Sequence, residues 1–182
     1  MKKIINFLFI PLLLLVAISA CSDEQDFDQA RDLDVITDAT GPVLYLESTE
    51  DLINASPVIS QNINFDGFNS ELFSDRVISG SLTFQIENST SKQLDIRVIF
   101  LNEAGSPLDV VNFSTAEAPP IDIIDTEMFY GTAAGKSIDI IKSTSSLQVI
   151  FTNNSGSTSV SSLPDPKLIF RSSASFKLRV IE

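Results

Sequence analysis

Apolar and polar residues alternate with a period of two through most of the chain after position 41. In residues 81–87 the even positions are apolar and the odd positions are polar. This alternation is typical of a β-strand with one face in a core and the other in water. Further runs of this kind occur at 43–47, 94–101, 108–113, 147–151 and 176–180. The pattern therefore predicts many short strands.

Short segments rich in Asn, Ser, Gly and Pro separate these runs. Residues 88–91 and 102–107 are two such segments, and Gly105 suits the left-handed position of a hairpin loop. We therefore expect 82–113 to form a three-stranded antiparallel meander. The polar segment 155–162 is expected to be a mobile hairpin tip.

One segment, residues 136–142, fits two periods. Ile138 and Ile141 match a helical turn, whereas Ile138 and Ile140 match a strand. A short helix is favoured because a polar stretch separates this segment from the next strand. The chain thus predicts an all-β fold, an antiparallel two-sheet sandwich that is immunoglobulin-like, with at most one or two short helical turns. We assign residues 41–182 to this single domain, and the strand order stays open.

The first twenty residues have a different pattern. A basic start at Lys2 and Lys3 precedes an apolar run over 4–18, and small residues follow it. These are the parts of a secretory signal peptide, so residues 1–20 are predicted to be a leader. The alternative is a transmembrane helix, which needs about 20 apolar residues. This run is shorter and contains Pro11.

The residues Ile18-Ser19-Ala20-Cys21 resemble the lipobox of bacterial lipoproteins. The resemblance implies cleavage before Cys21, a diacylglycerol on its sulfur, and acyl chains such as palmitate on the new N-terminus. Each buried methylene contributes about 0.8 kcal/mol, and two or more chains give stable anchoring. The alternatives, a free thiol or half a disulfide, are disfavoured because Cys21 is the only cysteine.

An acidic segment, Ser22-Asp23-Glu24-Gln25-Asp26, follows Cys21 directly. It resembles the surface-export signal of lipoproteins in the Bacteroidota, which implies transfer to the outer face of the outer membrane. The alternative is a solvated acidic tether, and we assign residues 21–40 to an acidic flexible tether. The calcium-loop spacing D-x-[DN]-x-[DN]-G is absent, so no metal site is predicted here.

The composition indicates one acidic domain with a real core. Without its leader the chain has 162 residues, enough for one domain. Loss of Lys2 and Lys3 lowers the net charge from −12 to −14. This charge disfavours nucleic acid and anionic lipid surfaces as partners, since both need basic patches. Thirteen phenylalanines and a low share of charged residues argue against a disordered domain.

The residues offer little for catalysis. Histidine is absent, and with it the usual general base and the commonest zinc ligand. No phosphate-binding loop or nucleophile elbow is present. Two carboxylates would suffice for a glycosidase; the candidates are Glu87, Asp95, Glu103, Asp122, Asp125 and Glu127. Most of these fit a solvated face or a turn, so we predict no catalytic residue, no metal and no cofactor.

The most interesting carboxylates group near an aromatic residue. Asp122, Asp125, Glu127 and Tyr130 follow a proline-bearing crossover, and together they form a candidate binding loop. A dedicated sugar-binding surface is disfavoured, because tryptophan is absent and only two tyrosines occur. The phenylalanines lie mostly on the apolar phase of the strands, which places them in the core.

The sequence therefore predicts a non-enzymatic lipoprotein, lipid-anchored in the outer membrane and facing the exterior. It would act as a binding or scaffolding subunit beside an envelope protein, in an assembly of the uptake, secretion or motility type. A glycan-binding or adhesive module is the alternative, and a carboxylate-based glycoside hydrolase is the remote one.

Overall fold

The structure is a computed structural model that describes residues 34–65, 67–156 and 158–180. The leader, Cys21 and the acidic residues 22–26 lie outside these residues, so cleavage, lipidation and export stay predictions. In the described part of the chain, no helix has the length and apolar character needed to cross a membrane.

The described residues form eight strands and three short helices. In chain order they are β1 (Val35–Thr49), α1 (Glu50–Ala55), β2 (Val58–Asn64), α2 (Glu71–Ser74), β3 (Val77–Asn88), β4 (Leu94–Leu101), β5 (Pro107–Thr115), β6 (Asp122–Tyr130), α3 (Ile138–Lys142), β7 (Ser146–Asn153) and β8 (Lys167–Val180).

The strands form two antiparallel four-stranded sheets. The front sheet has the order β1-β8-β3-β6, and the back sheet has the order β2-β7-β4-β5. The first strand pairs with the last, the second with the seventh, the third with the sixth and the fourth with the fifth. A long antiparallel ribbon rolled into two sheets gives this pairing, which is that of a jelly roll. The predicted all-β, two-sheet sandwich is confirmed, and its strand order differs from that of immunoglobulin domains.

The predicted meander over 82–113 is half right. β4 and β5 form the expected hairpin, and Gly105 has the expected positive φ of 72°. The pairing of β3 with β4 was wrong, because they lie in different sheets. The crossing between them is held by the buried amide of Asn88, which donates to the carbonyls of Lys92 and Ala116, each at 2.8 Å. Alternation shows that a strand has one buried face, but not which sheet contains it.

The boundaries differ from the prediction in two places. β1 begins at Val35, inside the segment assigned to the tether, because residues 35–42 pair with the end of β8 while staying exposed. With no buried face, this part of the strand has no period to detect. The short helix α3 is confirmed, whereas α1 and α2 exceed the predicted number of helical turns. Thr49 caps α1 by accepting a hydrogen bond from the amide of Leu52.

Phenylalanines connect the two sheets through the core. The ring of Phe84 packs against Phe113 and Phe170 at centroid distances of 5.5 and 6.0 Å, and Phe170 also meets Phe151. Each fully buried side chain of this size contributes about 1.5–3 kcal/mol relative to an exposed one. The buried rings thereby fix which side chains of their strands point inward. The alternate side chains point to the outer faces of the sheets.

A buried carboxylate, Glu50, ties together the connections at one end of the sandwich. Its Oε1 accepts from the amide and hydroxyl of Ser91, both at 2.6 Å, and its Oε2 accepts from the amide of Ser161 at 2.8 Å. Burial alone would raise the pKa of Glu50, but these hydrogen bonds and the charge of Lys92 hold it below its ordinary value. The expected mobile hairpin at 155–162 was wrong, because β7 and β8 lie in different sheets and Ser161 is bound.

Candidate functional site

The predicted binding loop is a strand. Asp122, Asp125, Glu127 and Tyr130 all lie on β6, at one edge of the front sheet. Successive side chains of a strand point to opposite faces. Asp125 and Glu127 therefore reach the exposed outer face, whereas Asp122 and Tyr130 point toward the core. The structure brings only two of the four residues together on one surface.

The two inward residues have structural roles. Asp122 accepts a hydrogen bond from the amide of Ala116 at 2.7 Å and so closes the connection between β5 and β6. Tyr130 is fully buried, and its ring lies 6.4 Å from that of Phe100. Burial, together with the negative charge of Asp109, raises the pKa of the Tyr130 phenol well above its ordinary value. Neither side chain can meet a ligand at the outer face.

The register of the front sheet aligns its outward side chains into rows that cross all four strands. Each row takes one residue from β1, β8, β3 and β6 in that order. The four rows are Thr40, Ser175, Ser81 and Phe129; Pro42, Ser173, Thr83 and Glu127; Tyr45, Arg171, Gln85 and Asp125; and Glu47, Ile169, Glu87 and Ile123. Asp125 and Glu127 thus belong to a larger surface.

We call the surface made by these four rows the trough. Small hydroxyl-bearing residues occupy the two central strands in its first two rows, and larger side chains stand on the edge strands. A shallow depression of about 370 Å³ lies over the second and third rows, lined by residues that include Tyr45, Thr83, Asp125, Arg171 and Ser173. With strands about 4.8 Å apart and residues about 3.3 Å apart, the trough measures about 14 by 20 Å.

The third row is held in place by its own contacts. The Arg171 guanidinium carbon lies 5.9 Å from the centroid of the Tyr45 ring, within the range of a cation–π contact. Its Nη1 donates to Oε1 of Gln85 at 3.2 Å and lies 3.9 Å from a carboxylate oxygen of Glu87. This arrangement leaves the amide NH₂ group of Gln85 as a donor toward the open side.

A second set of contacts fixes the orientation of Tyr45. Its hydroxyl donates to Oε2 of Glu47 at 2.6 Å, and Nζ of Lys167 donates to Oε1 of the same carboxylate at 3.1 Å. The hydrogen bond to Glu47 raises the pKa of Tyr45, and the bonds from Tyr45 and Lys167 lower the pKa of Glu47. At neutral pH the phenol is therefore protonated and the carboxylate charged. The Tyr45 ring stays 56% exposed.

The trough is polar and negative. Its rows carry four carboxylates, on Glu47, Glu87, Asp125 and Glu127, against the single guanidinium of Arg171. Of the residues that the structure describes, no three or more His, Cys, Asp or Glu are grouped closely enough to hold a metal ion. The local field disfavours anionic ligands.

A carboxylate pair for glycoside hydrolysis needs one acid with a raised pKa in a dry pocket. Asp125 and Glu127 are both exposed on the surface of a strand. Glu87 and Asp95, two further candidates, lie on different sheets, and Glu103 lies in the β4–β5 turn. These five carboxylates therefore do not form an enclosed pair, and Asp125 and Glu127 lie on a surface that a ligand can reach.

Two aromatic residues of the trough were missed from the sequence. Phe129 is 50% exposed on the outer face of β6, although phenylalanines were assigned to the core. Tyr45 is not among the predicted site residues, since two tyrosines and no tryptophan disfavour a dedicated sugar-binding surface. The available signal was the phase of each strand, since Tyr45 alternates with Leu44 and Leu46, which are both buried.

Comparisons with known proteins give likeness in fold alone. No protein-family model matches the chain, and no curated protein matches it in sequence. Among solved structures it is similar to the VP2 subviral particle of infectious bursal disease virus, with 12% identity, a TM-score of 0.39, and coverage of 83% of this chain and 34% of that one.

It is also similar to the structure titled Desmodium yellow mottle tymovirus, with 8% identity, a TM-score of 0.38, and coverage of 83% of this chain and 91% of that one. A third match is the enzymatically active domain of tailspike protein 4 from bacteriophage CBA120, with 10% identity, a TM-score of 0.33, and coverage of 84% and 20%. The chain spans about a third of the VP2 chains. Likenesses this distant bear on no function.

Proposed function

We propose that this chain is a non-enzymatic, lipid-anchored binding protein of the bacterial outer membrane, facing the cell exterior, and that the trough is its binding surface. It would serve as an accessory subunit beside an envelope protein in an uptake, secretion or motility assembly. An envelope protein and a glycan are the two classes of ligand that fit this role.

The trough is the observation that carries this proposal. Its third row places an exposed aromatic ring, a guanidinium, an amide and a carboxylate in one line across the sheet. Arg171 and Tyr45 are ordered by contacts with each other and with Gln85 and Glu47. Preorganised side chains lose less entropy on binding than mobile ones, which favours recognition by this face.

The location rests on the sequence. The lipobox-like Ile18–Cys21 and the acidic residues 22–26 support anchoring and surface export. Val35, the first residue of β1, lies fourteen positions after Cys21. A chain of that length reaches at most about 50 Å when fully extended. The sandwich would thus work within a short distance of the bilayer.

The test combines mass spectrometry with crosslinking in intact cells. Mass spectrometry of the purified chain should find Cys21 at the N-terminus, carrying acyl chains, and proteases added to intact cells should cleave the sandwich. A photoreactive amino acid placed at Ser173, in the trough, should give a defined crosslink to an envelope component or a surface glycan.

The matched control places the same photoreactive residue at Asn112, which is exposed on the outer face of the back sheet. That position should give no defined crosslink. An unmodified thiol at Cys21 would contradict the anchor, and equal crosslinking from Ser173 and Asn112 would contradict the trough as the binding surface.

A further inference from the structure

The trough can bind a ligand only through side chains. Its two central strands, β8 and β3, are each paired on both sides. Their backbone donors and acceptors are therefore occupied, so a peptide cannot join the floor as an added strand, which requires a free sheet edge. A ligand that lies on the floor must bring its own donors and acceptors to meet hydroxyls, carboxylates and amides.

Several polar side chains of the trough are ready for such a ligand. Thr83, Ser173, Asp125 and Glu127 make no side-chain hydrogen bond or ion pair within the described ranges 34–65, 67–156 and 158–180. Hydroxyls both donate and accept, carboxylates accept, and the Gln85 amide donates. A ligand with many hydroxyl groups matches this mixture, because every one of its groups both donates and accepts.

Charge narrows the class of ligand further. Four carboxylates against one guanidinium repel a polyanion, so uronic-acid or sulfated chains are disfavoured. The same net charge would attract a cationic peptide, which is therefore the competing ligand that the test must exclude. A neutral ligand is favoured over it by the mixture of free donors and acceptors on the floor, and because Arg171 and Lys167 already contact Glu87 and Glu47.

The aromatic residues supply the remaining contact. Tyr45 and Phe129 stand on opposite edge strands of the front sheet, in the third and first rows, each about half exposed. An exposed ring offers a flat apolar surface, and the hydroxyl of a tyrosine adds a polar handle. The carbon-bound hydrogens of a sugar ring can pack on such a surface while its hydroxyls reach the polar floor.

From these observations we infer that the trough binds a neutral oligosaccharide lying across the front sheet between Tyr45 and Phe129. Tyr45 packs against one sugar ring, and Gln85, Thr83 and Asp125 hydrogen-bond the hydroxyls of the sugars that lie further across the sheet. The inference rests on the proposed function, since it names the ligand class of that same surface.

The test measures binding by the full mature chain, residues 21–182, by isothermal titration calorimetry. The probes are linear neutral oligosaccharides of glucose, mannose or xylose with four to six sugars, an oligogalacturonate as the anionic probe, and oligolysine as the cationic one. We expect one neutral series to bind and both charged probes to fail.

Variants then locate the binding. Tyr45→Ala should weaken it about tenfold or more, Asp125→Asn by several-fold, and Tyr45→Phe by less than about threefold, since the ring is kept. The control Asn112→Ala, on the back sheet, should bind like the parent. Circular dichroism confirms that each variant is folded.

Three outcomes would overturn the inference, and they separate it from the proposed function. Binding of oligolysine alone, lost in Asp125→Asn, makes the trough a site for cationic peptides and leaves the binding role intact. Crosslinks from Ser173 to a second copy of this chain make it a self-association surface. If none of the probes binds and Ser173 gives no defined crosslink, both the inference and the proposed function are contradicted.

Discussion

The outer faces of the two sheets have the same construction and different chemistry. Each is a set of rows across four antiparallel strands, built over one shared core. On the back sheet, two successive rows are Val58, Thr152, Asp95 and Ser114, and Ser60, Ile150, Arg97 and Asn112. These rows hold one carboxylate, one guanidinium and no aromatic ring.

The trough differs in what its charged groups contact. Arg171 lies over the Tyr45 ring and bonds to Gln85, whereas Asp95 and Arg97 on the back sheet make no side-chain hydrogen bond or ion pair among the described residues. Both faces are polar enough to be soluble. The back sheet also has a depression, of about 510 Å³, which is lined by Asp95, Arg97 and Asn112. Among the described residues, the front sheet differs in that its third row combines an exposed tyrosine ring with polar side chains that contact one another.

Both outer faces depend on the same folded sandwich. Substitution of Glu50 should have the largest effect on the stability of that sandwich. Glu50→Ala leaves three donors, on Ser91 and Ser161, without their buried acceptor. We expect a loss of about 2–4 kcal/mol in the free energy of unfolding, measured with urea at pH 7. Asp51→Ala, the next residue and an exposed one, should change it by less than about 0.5 kcal/mol.

The same carboxylate gives a dependence on pH. Its folded pKa lies below the ordinary value of 4.5, so its contribution is complete above that pH and is lost as pH falls through the folded pKa. The parent should lose stability more steeply than Glu50→Gln as the pH falls below about 4.5. Parallel pH profiles for the two proteins would contradict the assigned role of Glu50.

A bulky side chain placed on each outer face in turn should show directly which face binds the ligand. Ser173→Trp places a bulky ring on the floor of the second row and should weaken binding of the crosslinked ligand by about 30-fold or more. Thr152→Trp, a change of the same size on the outer face of the back sheet, should leave it within about twofold. Equal losses in both variants would remove the distinction between the faces.

Removal of an outward arginine from either sheet should have similar small effects on stability but different effects on ligand binding. Arg171→Ala and Arg97→Ala each delete an outward arginine from a central strand of its sheet. Exposed ion pairs contribute about 0–1 kcal/mol, so neither should change the free energy of unfolding by more than that. Arg171→Ala should in addition weaken ligand binding, because Tyr45 and Gln85 lose their shared contact.

The smallest effect is spectroscopic. The chain has two tyrosines and no tryptophan, so ultraviolet absorbance reports phenol ionisation without interference. Both tyrosines have pKa values above the ordinary 10.0, Tyr45 through its bond to Glu47 and Tyr130 through burial. Glu47→Gln should lower the pKa of Tyr45 and leave that of Tyr130 unchanged. A titration curve identical to the parent's would show that Glu47 does not hold Tyr45.

Sequence alone predicts which side of a strand is buried far better than which sheet the strand joins. The phases of 82–86 and 94–100 are confirmed by the burial of Phe84 and Val98. The assignment of β3 and β4 to one sheet failed, because the crossing depends on the contacts of Asn88 with residues as distant as Ala116. Such a contact leaves no trace in local periodicity.

The candidate site follows the same rule. Asp125 and Glu127 are two residues apart and share the outer face of β6, whereas Asp122 is an odd number of residues from both and faces inward. The sequence also allows strands at 121–124 and 127–131, but a loop between them would break the shared phase of Asp125 and Glu127. The partners of Asp125 across the sheet, Gln85 and Arg171, come from distant parts of the chain, and only the strand order brings them into line.

The pairing of β1 with β8 runs the whole length of both strands, from Val35 opposite Val180 to Thr49 opposite Lys167. If the chain is anchored at Cys21 as proposed, any drag on a bound ligand enters the sandwich at the first residue of β1, and its component along the strand pulls β1 lengthwise. Antiparallel hydrogen bonds lie perpendicular to the strands, so this pull loads them all at once in shear instead of opening them one after another. The pairing of β1 with β8 would then resist mechanical unfolding, which suits a domain held at the cell surface under tension.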